Sequence, residues 1–233
     1  MADAGGRMEL FGATHGLMLL LTVALGVLLV AGARRIRGTA AEYRITRVFG
    51  WVFLVVSIAW MVWWMLPWNW NVEESLPFHL SDTLRVVTGI ALIVRPGWAI
   101  SICYFWGLTL NLQSLLTPDL NFYTVPAVEF AMYWFLHIAV FLTPVVFVAG
   151  LGYRPTWLGY LATCAATLVW AGVAAVVNAI TGANYGYLSR APEGPSALDF
   201  LGPWPLYLVV VAAILAVAWA LMTIPWASIT GGR

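Results

Sequence analysis

Charge is what this chain has least of. Only 9% of its 233 residues are Asp, Glu, Lys or Arg, against about 25% in soluble domains. Lysine is absent, and all eleven basic residues are arginine. So little charge excludes a water-soluble globule, and with no basic run interleaved with aromatics, nucleic acid is not expected as a partner. Cys103 and Cys164 lie in apolar segments without metal or redox spacing and read as small buried hydrophobes. The three histidines, His15, His79 and His137, show no metal-ligand spacing, and no phosphate-cradling glycine loop is present. No metal or other cofactor is therefore expected.

Apolar sequence is abundant: 62% of residues are hydrophobic and fourteen are tryptophan. A bilayer crossing needs roughly 20 apolar residues, and about seven stretches qualify, near 12–32, 46–66, 77–94, 97–116, 125–150, 156–181 and 204–226. The sequence predicts an all-α fold, a polytopic membrane helix bundle forming a single domain over 1–233. An arginine-rich segment at 33–47, Arg95-Pro96-Gly97, Thr117-Pro118-Asp119 and Gly152-Tyr153-Arg154-Pro155 separate the spans, and Thr181–Pro203 is the one long loop. The first span is not expected to be a cleaved signal peptide, because its leader is not basic and the charges follow it.

Arginine placement predicts orientation. Arg34, Arg35, Arg37, Arg44 and Arg47 put the first connection inside, and alternation puts Arg95, Arg154 and Arg233 there too. The outer loops then hold Asp3, Glu9, Glu73, Glu74, Asp119, Glu193 and Asp199 with only Arg7 and Arg190. Seven spans with the N-terminus out and the C-terminus in satisfy every loop. Tryptophans near both boundaries read as interfacial anchors.

An ionisable group in hydrocarbon costs about 2.5–3.5 kcal/mol, so each one found there is a functional candidate. Here they gather at one expected depth: His15 on the first span; His79, Ser81, Asp82 and Arg85 on the third; Thr109, Gln113 and Thr117 on the fourth; Glu129, Tyr133 and His137 on the fifth; Asn178 on the sixth; and Asn184 and Tyr185 beyond it. The spacing of 109, 113 and 117, and of 129, 133 and 137, puts each trio on one helical face. This describes a polar cavity on the outer side. On a regular third helix Arg85 lies about 40° from Ser81, Asp82 about 100° and His79 about 160°. His137 is thus a better base for Ser81 than His79. Structural readings stand beside each of these: Asp82–Arg85 as an ion pair, Gln113 and Thr117 as interhelical glue, Ser81 bonded to its own helix.

Several stretches carry a resemblance. FGATH (Phe11–His15), LPFHLSD (Leu76–Asp82), LTPDL (Leu116–Leu120), WFLH ending at His137, Asn178, Asn184-Tyr185 and LDFLGPWPLY (Leu198–Tyr207) run in order across nearly the whole chain. On these the chain resembles the bacterial YwaF-like integral membrane proteins, which are similar to the eukaryotic transmembrane-protein-164 family. The resemblance implies a multi-pass protein of a bacterial plasma membrane. It further implies phospholipid acyl transfer, the activity of the eukaryotic relatives, or the lipid-ester hydrolysis of the more distant androgen-induced hydrolases. The nucleophile, Cys in the eukaryotic acyltransferases and Thr in those hydrolases, falls at Ser81 here, and the partner His at His137.

The expected function is therefore a lipid acyltransferase or ester hydrolase with catalytic Ser81 and His137. His79, Asp82, Arg85, Gln113, Glu129, Tyr133, Asn178, Asn184 and Tyr185 would bind substrate, membrane lipids would be the partners, and the Thr181–Pro203 loop would be a lid. A transporter or substrate-capture subunit without catalysis is the alternative, because an outward polar cavity serves either.

Overall fold

The computed structural model describes residues 8–118, 120, 122, 124–192 and 197–230, and every regular element among them is a helix. The loop charges at Asp3, Arg7, Asp119, Glu193 and Arg233 lie outside the described residues. Eight α-helices follow one another among the described residues: α1 (Ala13–Ile36), α2 (Ala40–Met65), α3 (Leu80–Ile93), α4 (Gly97–Leu108), α5 (Leu110–Leu116), α6 (Pro126–Val145), α7 (Trp157–Thr181) and α8 (Leu206–Thr230). Among the described residues, six stretches are long and apolar enough to cross a bilayer: α1, α2, Gly97–Leu116, Pro126–Gly150, α7 and Leu206–Trp226.

The departures from the expected spans have local causes. The segment 33–47 that separates the first two spans is mostly helical, with only a tight turn at 37–39 between α1 and α2. Thr39 Oγ1 accepts from the Glu42 amide at 3.3 Å, and Glu42 reaches back to the Gly38 amide, so α2 begins at Ala40. The arginines therefore ride on helix ends. In place of a third span from 77, turns run through 72–79, and α3 starts at Leu80, with the His79 carbonyl accepting from the Asp82 and Thr83 amides. Fourteen residues make about 21 Å, short of the ~30 Å hydrocarbon thickness.

Two further interruptions shape the middle of the chain. The expected 97–116 helix breaks at Thr109, whose φ −119° and ψ −72° separate α4 from α5. In α6, Pro144 lacks the amide that would bond Val140, and the last turn widens into a π-helical segment at Val146–Gly150.

The chain forms two compact units: Met1–Trp60 with Leu84–Arg154, and Met61–Thr83 with Pro155–Arg233. In the first, α4–α5 and α6 are central, with 61% and 50% of their apolar windows buried against 17% for α1. Lipid tails are as apolar as Leu, so helices in a bilayer associate by close packing rather than by escape from water. Gly107 on α4 shows this: a Cβ there would stand 3.2 Å from both the Val140 carbonyl oxygen and the Pro144 ring on α6. In the second unit α7 packs on α8, whose Trp219 and Tyr207 are buried.

At the arginine-rich end of the first unit, Arg95 donates to Glu42 and, at 2.6 Å, to Thr46 Oγ1. Its guanidinium also lies 4.3 Å from the Tyr43 ring centroid. Glu42 is 4% exposed. Breaking a buried pair strands one charge at a cost of about 3 kcal/mol. Glu42→Gln is thus expected to lower the thermal midpoint in detergent by several degrees. Glu42→Gln with Arg95→Gln should lose less than the sum of the two single changes; additive losses would mean that the ion pair is not the tie.

Candidate functional site

His137 lies mid-way along α6 and is 5% exposed. Its Nδ1 is 2.7 Å from Asn111 Oδ1, while Asn111 Nδ2 donates to the His137 carbonyl at 3.0 Å. The second bond settles the first. A carbonyl only accepts, so the amide nitrogen must face it, and the amide oxygen must face the ring. Nδ1 therefore carries the proton, and in the neutral ring Nε2 keeps its lone pair. Tyr133, one turn earlier, packs its ring 4.4 Å from that of His137 and donates its hydroxyl to the Ser114 carbonyl at 2.9 Å. A clamped neutral imidazole whose second nitrogen keeps its lone pair is the arrangement a general base needs.

Asn111 is the residue that sequence reasoning missed. A continuous fourth span put Thr109, Gln113 and Thr117 on the inward face. The break at Thr109 resets the register, so Asn111 is buried, Gln113 and Thr117 are exposed, and the Thr109 and Thr117 hydroxyls bond back to the Phe105 and Gln113 carbonyls. The available signal was simple: Asn111 is itself a polar residue among leucines.

Glu129 and His15, also in the first unit, close backbone ends. Glu129 Oε1 accepts from the Thr124 amide and hydroxyl, both at 2.9 Å, and from the Val125 amide at 3.2 Å, at the start of α6. His15 Nδ1 accepts from the Phe11 amide at 3.0 Å, which leaves Nε2 to donate to the Leu115 carbonyl at 2.8 Å. That pattern makes His15 a neutral imidazole with both nitrogens engaged. Arg85 is buried on α3.

The second unit holds Ser81, Asp82, His79, Asn178, Asn184 and Tyr185. Ser81 is half-buried in the first turn of α3, and Asp82 beside it is buried. His79 precedes the helix rather than lying on it, so the 160° expected from a regular helix does not apply. Its Nε2 donates to the Glu73 carbonyl at 2.8 Å, and its ring meets Tyr185 at 4.9 Å.

Asn178 clamps the chain after α7, giving Nδ2 to the Tyr185 carbonyl at 3.0 Å and taking the Tyr185 amide on Oδ1 at 2.8 Å. Gly186, at φ +67°, turns the chain there. A Cβ on it would fall 2.3 Å from the Trp170 ring. Tyr185 donates its hydroxyl to the Val72 carbonyl and accepts from the Leu76 amide at 3.1 Å. Asn184 takes the Ser189 and Arg190 amides, each at 3.1 Å, and Arg190 pairs with Glu73 at 2.5 Å. The described part of the expected lid is thus stitched to the 66–79 connection. No group of three metal-ligating side chains occurs among the described residues.

Two outcomes follow. Asn111→Ala leaves the buried Nδ1–H without its acceptor, so a loss of about 1–3 kcal/mol is expected in detergent denaturation. Wild-type stability after that change would mean that the clamp carries no energy. Burial pushes the Tyr185 phenol above its ordinary value, with Glu74 and Asp82 adding to the shift. A raised folded pKa means stability is full below the unfolded value of about 10 and falls as pH rises through the folded one. Burial shifts Tyr153 the same way, so Tyr185→Phe should remove part, not all, of the alkaline loss seen in a pH series of thermal midpoints.

Searches against curated proteins and against solved structures find no match. The model of the TMEM164 family, by contrast, matches residues 10–223, which takes in every polar residue described above. The chain belongs to the TMEM164 family.

Proposed function

We propose that this membrane protein processes acyl esters of membrane lipids, as an acyltransferase or an ester hydrolase, in a bacterial plasma membrane. The observation that carries the reading is the Asn111–His137 clamp, which fixes one imidazole nitrogen as donor and leaves the other with its lone pair in a nearly solvent-free helix interior. In this reading Ser81 Oγ is the nucleophile that attacks the ester carbonyl, and His137 has the role of general base for its proton. The tetrahedral intermediate collapses to an acyl-Ser81 ester, and the lysolipid alcohol leaves with that proton. Water or a second lipid hydroxyl then attacks the acyl-enzyme, and Ser81 regains its proton.

The setting of Ser81 in the first turn of α3 supports its role, because the positive end of a helix dipole favours developing negative charge. An alcohol is far less acidic than the thiol of the eukaryotic relatives, so a positioned base matters more here. Arg85, buried one turn further along α3, would offer a cation to a lipid phosphate or to the oxyanion.

The test is covalent trapping by a serine-reactive lipid-like phosphonate, read by intact mass. One adduct is expected on the wild type and none on Ser81→Ala, with labelling of His137→Ala slower by about 10²-fold or more. Unchanged labelling of Ser81→Ala would sink the mechanism. Absence of any adduct, with native lipid still co-purifying, would favour lipid binding without turnover.

A further inference from the structure

Arg95 closes the turn after α3 in the left-handed region, at φ +58°. A bulky residue holds that conformation only when its surroundings impose it. Here Glu42, Thr46 and the Tyr43 ring do so. Arg44 and Arg47, on the first turns of α2, are exposed, and neither guanidinium has a partner among the described residues. Three residues apart, they share one helical face. Together with Tyr43, Val48, Ile93 and Arg95 they line a cavity of about 600 Å³.

Glu42 compensates only one of the three guanidinium charges, so the cavity keeps an excess of two positive charges. Its other wall is apolar and open: Val48 is 58% and Val94 68% exposed. Trp51, one turn above Arg47, and Trp98, beyond the Arg95 turn, are exposed too and mark this level as a membrane interface. Free phosphate would have no use for an apolar wall, and a neutral lipid would leave the two arginines unanswered.

We propose that this cavity is a binding site for an anionic membrane phospholipid, with its phosphate between Arg44 and Arg47 and its glycerol and first acyl carbons along Val48, Ile93 and Val94. Basic pockets between membrane helices take lipid headgroups in this way, and guanidinium–phosphate pairing is bidentate. Arg95, locked by Glu42, forms the rigid back of the site. The site is separate from the Asn111–His137 clamp and independent of any catalysis there.

The experiment is native mass spectrometry of the detergent-purified protein titrated with phosphatidylglycerol or phosphatidylcholine. Wild type should retain phosphatidylglycerol in preference to phosphatidylcholine. Arg44→Gln with Arg47→Gln should weaken phosphatidylglycerol binding at least about ten-fold. Arg35→Gln with Arg154→Gln, the same charge loss outside the cavity, should change it less than about two-fold. Equal losses in the two pairs would reduce the effect to diffuse charge and overturn the site, as would equal retention of both lipids. Displacement of the lipid by millimolar inorganic phosphate alone would overturn the lipid as occupant. A second readout needs no variant: a phosphatidylglycerol carrying a headgroup diazirine should crosslink to peptides containing residues 43–48 or 93–95, and crosslinks confined elsewhere would refute the proposal.

Discussion

A polar group inside hydrocarbon has no water to fall back on, so it must find its partner within the chain. The polar side chains of this protein are arranged around that constraint. Asn111 bonds both the ring and the carbonyl of His137, and Asn178 bonds both the amide and the carbonyl of Tyr185. Glu129 takes two amides at the start of its own helix, and His15 ties Phe11, just ahead of α1, to the end of α5. Apart from the Asn111–His137 pair, each is a side chain standing in for a missing backbone partner. What distinguishes His137 is that the clamp uses only one ring nitrogen, so satisfaction of the interior and readiness for proton transfer coexist in one residue.

The helix interruptions serve the same end. Thr109 breaks the fourth span at the level where Asn111 must turn toward α6. Pro144 leaves Val140 without its intrahelical amide, and Gly107 permits α4 to approach that carbonyl. In the second unit, the turns that shorten α3 supply the carbonyls of Glu73 and Val72 to His79 and Tyr185.

Much of this was legible beforehand, and the failures have a common cause. Tyr133 and His137 were placed on one face by their four-residue spacing, and they are in ring contact because α6 is unbroken between them. Gln113 was placed inward by the same arithmetic and points out, because a break at Thr109 intervenes. His79 was assigned a helical angle although the chain there is still in turns. Apolar periodicity stops at the arginine segment and so puts the break between the first two spans across 33–47, whereas the Thr39–Glu42 cap begins the helix within it.

Sequence alone determined that this is an all-helical membrane protein and where most of its long helices lie, and its motifs pointed to the family. Those are matters of composition, periodicity and motif order, which survive without knowledge of any contact. Only the tertiary structure decided which polar residues are engaged and by what. A periodicity argument holds only within an unbroken helix, and the partners that answer Tyr185 and His15 are largely backbone atoms, which every residue possesses and no sequence pattern singles out.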